Sequence, residues 1–228
     1  MSLSVYSVIS IALLLAACAS SQSAVPASVS AGQIAESSSS LAYFSAGALS
    51  SGVSGDEFVS PLSEAQRRVT KKPFGIHVSP SSSPVSPERF SGYHTGEDFE
   101  TFPEEQDADV PVAAICSGTV RFTGWVKGYG GVLIQQCLYQ NQPVTVLYGH
   151  LNTDSLPLRS GSGLMAGGHI GMLGKGYSTQ TDGERKHLHL AVHKGAAINY
   201  RGYVPTAAAL KGWINPFPSF ASSDLPHM

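Results

Sequence analysis

Charge is what this sequence has least of. Only 13% of its 228 residues are Asp, Glu, Lys or Arg, and they leave a formal net charge of −2. No basic patch or extended Lys/Arg run is present, so the electrostatic footprint of a nucleic-acid partner is missing. Motifs of several hydrolase classes are absent too: there is no His-Glu-x-x-His, no Gly-x-Ser-x-Gly elbow and no Cys-x-x-Cys. Gly171-Met172-Leu173-Gly174-Lys175-Gly176 has the wrong glycine spacing for a phosphate loop, and no Ser or Thr follows Lys175. Residues 1–35 carry no charged side chain, yet their apolar run, Val8 to Ala17, is too short to span a bilayer. At roughly ten residues it has the length of a signal-peptide core.

Glycine (24) and proline (14) are plentiful, as in an all-β chain with many tight turns. The length allows one domain of roughly 150 residues plus a tail. Residues 19–60, rich in Ser, Ala and Gly and including Ser37-Ser38-Ser39-Ser40, read as a flexible tether. The folded domain is expected over residues 61–220, with a C-terminal tail over 221–228. Short apolar segments separated by Gly, Asn and Pro predict strands at Val110–Ile115, Gly118–Val126, Val132–Cys137, Val144–His150, Gly168–Leu173 and His187–His193. Only Thr206–Trp213 reads as helical. The fold class is therefore all-β, an antiparallel sheet or sandwich. Two loops, at 100–109 and 178–186, are rich in carboxylates or precede the last strand; each reads equally as a solvated insertion or as the wall of a groove.

The chemistry-bearing residues fall in three places. In Lys186-His187-Leu188-His189-Leu190, polar and apolar residues alternate, which predicts a strand with one wet face. His187 and His189 then point the same way, about 7 Å apart, with Leu188 and Leu190 in the core. In His94-Thr95-Gly96-Glu97-Asp98, the imidazole and carboxylate stand four residues apart, a same-face spacing on strand or helix. Gly96 argues against a helix there and lets backbone approach closely. His150 ends the strand that closes with Tyr148-Gly149-His150. Two imidazoles and a carboxylate are a normal zinc ligand set that leaves a coordination position open.

The order of these motifs resembles that of the lysostaphin-type (LytM-like) zinc peptidases. Val112-Ala113-Ala114-Ile115-Cys116-Ser117-Gly118-Thr119-Val120, Gly130-Gly131-Val132-Leu133-Ile134, Ile170-Gly171-Met172-Leu173-Gly174 and Ile214-Asn215-Pro216 resemble further segments of that family, so the likeness runs from about Pro73 to Pro216. The resemblance implies a fold of the duplicated hybrid motif type, with His94, Asp98 and His189 as zinc ligands and His150 and His187 as catalytic histidines. His187 would take a proton from water. His150 would hydrogen-bond the developing oxyanion or pass a proton to the leaving amine. The implied substrate is the peptide part of peptidoglycan; the alternative is a catalytically silent peptidoglycan-binding lipoprotein that regulates a cell-wall amidase. His77, His169, His193 and His227 match no motif position.

Leu15-Ala16-Ala17-Cys18 resembles a bacterial lipobox, although no Lys or Arg precedes the apolar run. That resemblance makes residues 1–18 a signal peptide and Cys18 a lipid anchor, on an exported protein of the periplasm or cell surface. Cys116 and Cys137 remain, and because free thiols are a liability outside the cytoplasm they are expected to form a disulfide between neighbouring strands.

Overall fold

The computed structural model describes residues 57–220. Twelve strands, most of them short, run in chain order: β1 (His77–Val78), β2 (Gly92–His94), β3 (Glu97–Glu100), β4 (Pro111–Ala113), β5 (Gly118–Val126) and β6 (Gly130–Tyr139). There follow β7 (Gln142–Leu151), β8 (Gly163–Leu164), β9 (His169–Met172), β10 (His187–Lys194), β11 (Tyr203–Val204) and β12 (Trp213–Ile214). One helix, α1 (Ala207–Leu210), is a single turn capped by the Thr206 hydroxyl, which accepts from the Ala209 amide. All strand pairs within the sheets are antiparallel, as the fold-class reading expects.

The main sheet has the order β12-β10-β7-β6-β5-β8, and β3 pairs with the other stretch of β10. Its centre is the meander of β5, β6 and β7. The β6–β7 hairpin closes through Gln140-Asn141, both at positive φ (49° and 57°), the two-residue turn whose twist suits paired strands. Two small sheets, β1-β2-β11 and β4-β9, complete the architecture. Alternating side chains of β10 divide between two cores. Leu188, Leu190 and Val192 join the larger cluster with Val112, Ile170 and Tyr148, whereas Ala191 joins the smaller one with Val132, Leu147 and Val204. Cys116, just ahead of β5, is joined by a disulfide to Cys137 on β6. Phe58, inside the stretch read as tether, is buried and stacks on Tyr139 with ring centroids 4.6 Å apart.

The long strands, with β4 and β9, stand close to their expected positions, whereas β1, β2, β3, β8, β11 and β12 were not foreseen. β2 and β3 carry the His94–Asp98 motif, and polar residues interrupt them too often to show a two-residue period. The loop at 100–109 is pinned down rather than freely solvated. Arg68, itself buried, donates to both carboxylate oxygens of Glu105 at 2.6 and 2.8 Å, and Lys186 Nζ donates to the Glu105 carbonyl at 2.8 Å. The cations come from outside the loop, which its local composition could not reveal. The signal-peptide, lipobox and C-terminal-tail assignments, with Cys18 and His227, lie outside the described residues.

Candidate metal centre and cleft

His94, Asp98, His150, His187 and His189 come together at one buried cluster beside a cleft of about 250 Å³. The expected route to it was partly different. His94 and Asp98 do not share the face of one element: Thr95-Gly96 breaks the chain between β2 and β3, which belong to different sheets. Gly96 lets the break fold tightly, since a Cβ there would lie 2.5 Å from the Leu190 carbonyl oxygen and 2.9 Å from the His189 ring. β10 has no wet face either. His187 and His189 do project together, but only 2% and 3% of their surfaces are exposed, because the β1-β2-β11 layer and the β5–β6 turn close over them. His189 is in register with Asp98 on one side and Gly149 on the other.

His150 reaches the cleft against the alternation of its strand. Val146 and Tyr148 belong to the larger core and Leu147 to the smaller, so residue 150 should point into the larger core. Instead, Gly131 pairs with Leu151 and Val132 with Gly149, leaving His150 as an extra residue on β7. Its backbone takes the left-handed conformation, φ 61°. A bulge of this kind re-aims a side chain, and backbone strain of this kind concentrates at functional sites. The ring then lies 4.3 Å from that of His187, centroid to centroid.

Three acceptor atoms converge at the centre. His94 Nε2 is 3.0 Å from His189 Nδ1 and 3.3 Å from Asp98 Oδ1, and His189 Nδ1 is 3.0 Å from Asp98 Oδ1. His94 Nδ1 donates to the Pro73 carbonyl at 3.3 Å, which leaves the Nε2 lone pair facing the centre. A proton on His189 Nδ1 could serve only one of its two neighbours, whereas a dication serves all three lone pairs at once. Zinc bonds of roughly 2.0–2.1 Å at tetrahedral angles put ligand atoms roughly 3.3 Å apart, so the triangle fits zinc. Asp98 Oδ2 faces the other way, accepting from Arg185 Nη2 at 2.9 Å and lying 3.3 Å from His187 Nε2. His187 Nδ1 donates to the Arg185 carbonyl at 2.9 Å, so Nε2 carries its lone pair.

Electrostatics follow from burial. Burial alone would raise the Asp98 carboxyl, but the His187, His94 and His189 imidazoles packed against it hold it well below the usual carboxylate range. Burial pushes His189 down to about 4, against the opposing pull of its Asp98 hydrogen bond. Burial, then the nearby His187 and His189, keep His150 well below the ordinary histidine value. Arg185 also binds Glu100, with Nε 3.0 Å from each carboxylate oxygen. Sequence reasoning missed Arg185; only its place two residues before His187 hinted at a role, and its partners come from β3. It missed Tyr129 as well, which lines the cleft from the β5–β6 turn. Of the two loops read as groove walls, 178–186 supplies Glu184 to the cleft and 100–109 supplies nothing. His77, His169 and His193 lie outside the cleft lining.

Residues 92–200 match the model of Peptidase family M23. No curated protein matches the chain. Among solved structures, the chain is similar to Helicobacter pylori Csd3, with 24% identity, 67% of this chain and 36% of that one covered, and a TM-score of 0.41. It is similar to lysostaphin in solution, with 26% identity, 56% and 42% covered, and a TM-score of 0.40. A zinc-containing peptidase from Vibrio cholerae is 22% identical, with 60% and 37% covered and a TM-score of 0.40. The chain therefore spans less than half the length of each of these three chains.

Proposed function

We propose, from the match of residues 92–200 to peptidase family M23, that the chain is a zinc-dependent endopeptidase that hydrolyses peptide stems or cross-links of bacterial peptidoglycan. The observation that carries the metal assignment is the 3.0–3.3 Å triangle of His94 Nε2, Asp98 Oδ1 and His189 Nδ1. Zinc held by those three atoms would supply Lewis acidity to a carbonyl group and to a water molecule.

The remaining work falls to the chain's own residues. Amide hydrolysis takes one proton from water and delivers one to the leaving amine. His187 is suited to the first task because it lines the cleft and its Nδ1 is engaged by the Arg185 carbonyl, which leaves the lone pair on Nε2. Once His187 is protonated, its Nε2–H lies 3.3 Å from Asp98 Oδ2, so the carboxylate that serves the metal through one oxygen stabilises the imidazolium through the other. Arg185 holds Oδ2 in that orientation. His150, neutral and tilted against His187, is placed to donate a hydrogen bond to the carbonyl oxygen or to relay the proton to the amine.

The test pairs elemental analysis with cleavage of cross-linked muropeptides. About one zinc per chain and new peptide ends by mass are expected. His189→Ala should lose both metal and turnover. His187→Ala should keep the metal and lose at least about a hundredfold in kcat. Activity that survives complete chelation would overturn the reading. We also place the domain outside the cytoplasm on a lipid anchor at Cys18, a reading supported by the apolar run and small residues that precede that cysteine.

A further inference from the structure

One polar group in the cleft has no task in the scheme above. Tyr129 is buried in the turn between β5 and β6, and its hydroxyl has no hydrogen-bond partner among the described residues. A buried hydroxyl without a partner is costly and rare in folded proteins, so its retention calls for an explanation. The ring stands between the two halves of the site, its centroid 5.2 Å from that of His189 and 5.7 Å from that of His150. Two glycines from separate segments make room for it. A Cβ at Gly149 would lie 2.6 Å from the tyrosine ring, and one at Gly202 would lie 2.7 Å from the hydroxyl oxygen. The surroundings thus accommodate both ring and hydroxyl, and supply the hydroxyl with nothing to bind.

We propose that the Tyr129 hydroxyl is a further catalytic group, donating a hydrogen bond to the scissile carbonyl oxygen as that oxygen takes on negative charge. The inference rests on the peptidase reading of this same cleft. No bond to Tyr129 forms or breaks, and its proton stays on the phenol oxygen. Its contribution is electrostatic: a donor fixed before the reaction by packing need not reorganise when charge develops. Together with His150 it would approach the oxygen as a second donor, from the side of the cleft where Gly202 lies.

The experiment compares the zinc-loaded full chain with Tyr129→Phe, which keeps the ring, and Gly202→Ala, which crowds the hydroxyl without removing it. Kinetics on soluble cross-linked muropeptides are paired with affinities for two phosphinate dipeptide isosteres, one glycyl-glycine and one D-alanyl. The expected result for Tyr129→Phe is a kcat lower by about a hundredfold, KM within about twofold, unchanged zinc content, and phosphinate affinity lower in proportion to kcat. Gly202→Ala should move kcat and phosphinate affinity in the same direction. An unchanged kcat, or a loss explained by lost zinc, overturns the proposal. If the zinc-loaded wild type cleaves nothing, the peptidase reading fails by itself. Tyr129 is then judged on the phosphinates alone, and equal binding by wild type and Tyr129→Phe, or no binding by wild type, overturns its role.

Discussion

His189 gives up water on both sides of its ring, and the consequence can be read in stability. Burial lowers its folded value to about 4, while the unfolded chain holds an ordinary imidazole near 6.5. Between those two values the unfolded state binds more protons than the folded one, so stability rises with pH across that window and is lost as pH falls through it. The metal-free protein should lose about 3 kcal/mol from this residue between about pH 7 and 4, with its slope fading above about pH 7.5. His150, shifted in the same direction, adds to the loss. Urea titrations of chelated protein at pH 7 and 4.5 check this, and His189→Asn should remove its share of the difference. The same neutrality keeps the His189 lone pair available for a cation in mild acid. His150 shows the other residue-scale principle, a side chain turned from core to cleft by one extra residue in its strand.

Among the elements, β10 does the most positioning, because it is held on one edge by β7 and on the other by β3 and β12. It therefore fixes His189 against Asp98 and Gly149, and His187 against Glu100, through backbone register alone. The weak joint is the break between β2 and β3, where Gly96 lies against β10 with no space for a side chain. Gly96→Ala forces a methyl group into the Leu190 carbonyl oxygen, which is backbone and cannot rotate away. That variant should be destabilised by about 2 kcal/mol, the range of core overpacking, and should bind zinc at least about tenfold more weakly as β3 moves off β10. Thermal melts and a zinc-competition titration measure the two effects. At this scale the sequence was readable where the period was clean. β5, β6, β7 and β10 are long enough to show alternation, broken in β7 only where His150 is the extra residue and in β5 between Val120 and Phe122, but β2 and β3 are three and four residues long and have no period to read.

Across the whole molecule, the meander of β5, β6 and β7 is a platform with an apolar core on each face. The Cys116–Cys137 disulfide joins the start of that platform to its second strand. If the domain works from a membrane anchor, Cys18 is the residue that makes the link. Cells expressing the full chain should incorporate labelled palmitate into it, and Cys18→Ser should lose the label completely while the purified folded domain keeps its zinc content. Label retained in Cys18→Ser would remove the anchor from the proposal.

Fold class and a short set of residues worth watching were legible before any coordinates, because alternation and turn chemistry are local properties carried by each segment. Alternation also placed His187 and His189 on one face, since their spacing matches the strand period. Folding in three dimensions was needed to show that His94 and Asp98 meet through a chain break, that His150 leaves its expected face, that Arg185 binds Asp98 and that Tyr129 lines the cleft. Those facts depend on register between segments roughly 20 to 100 residues apart, and such pairing is not written in any one stretch of the chain.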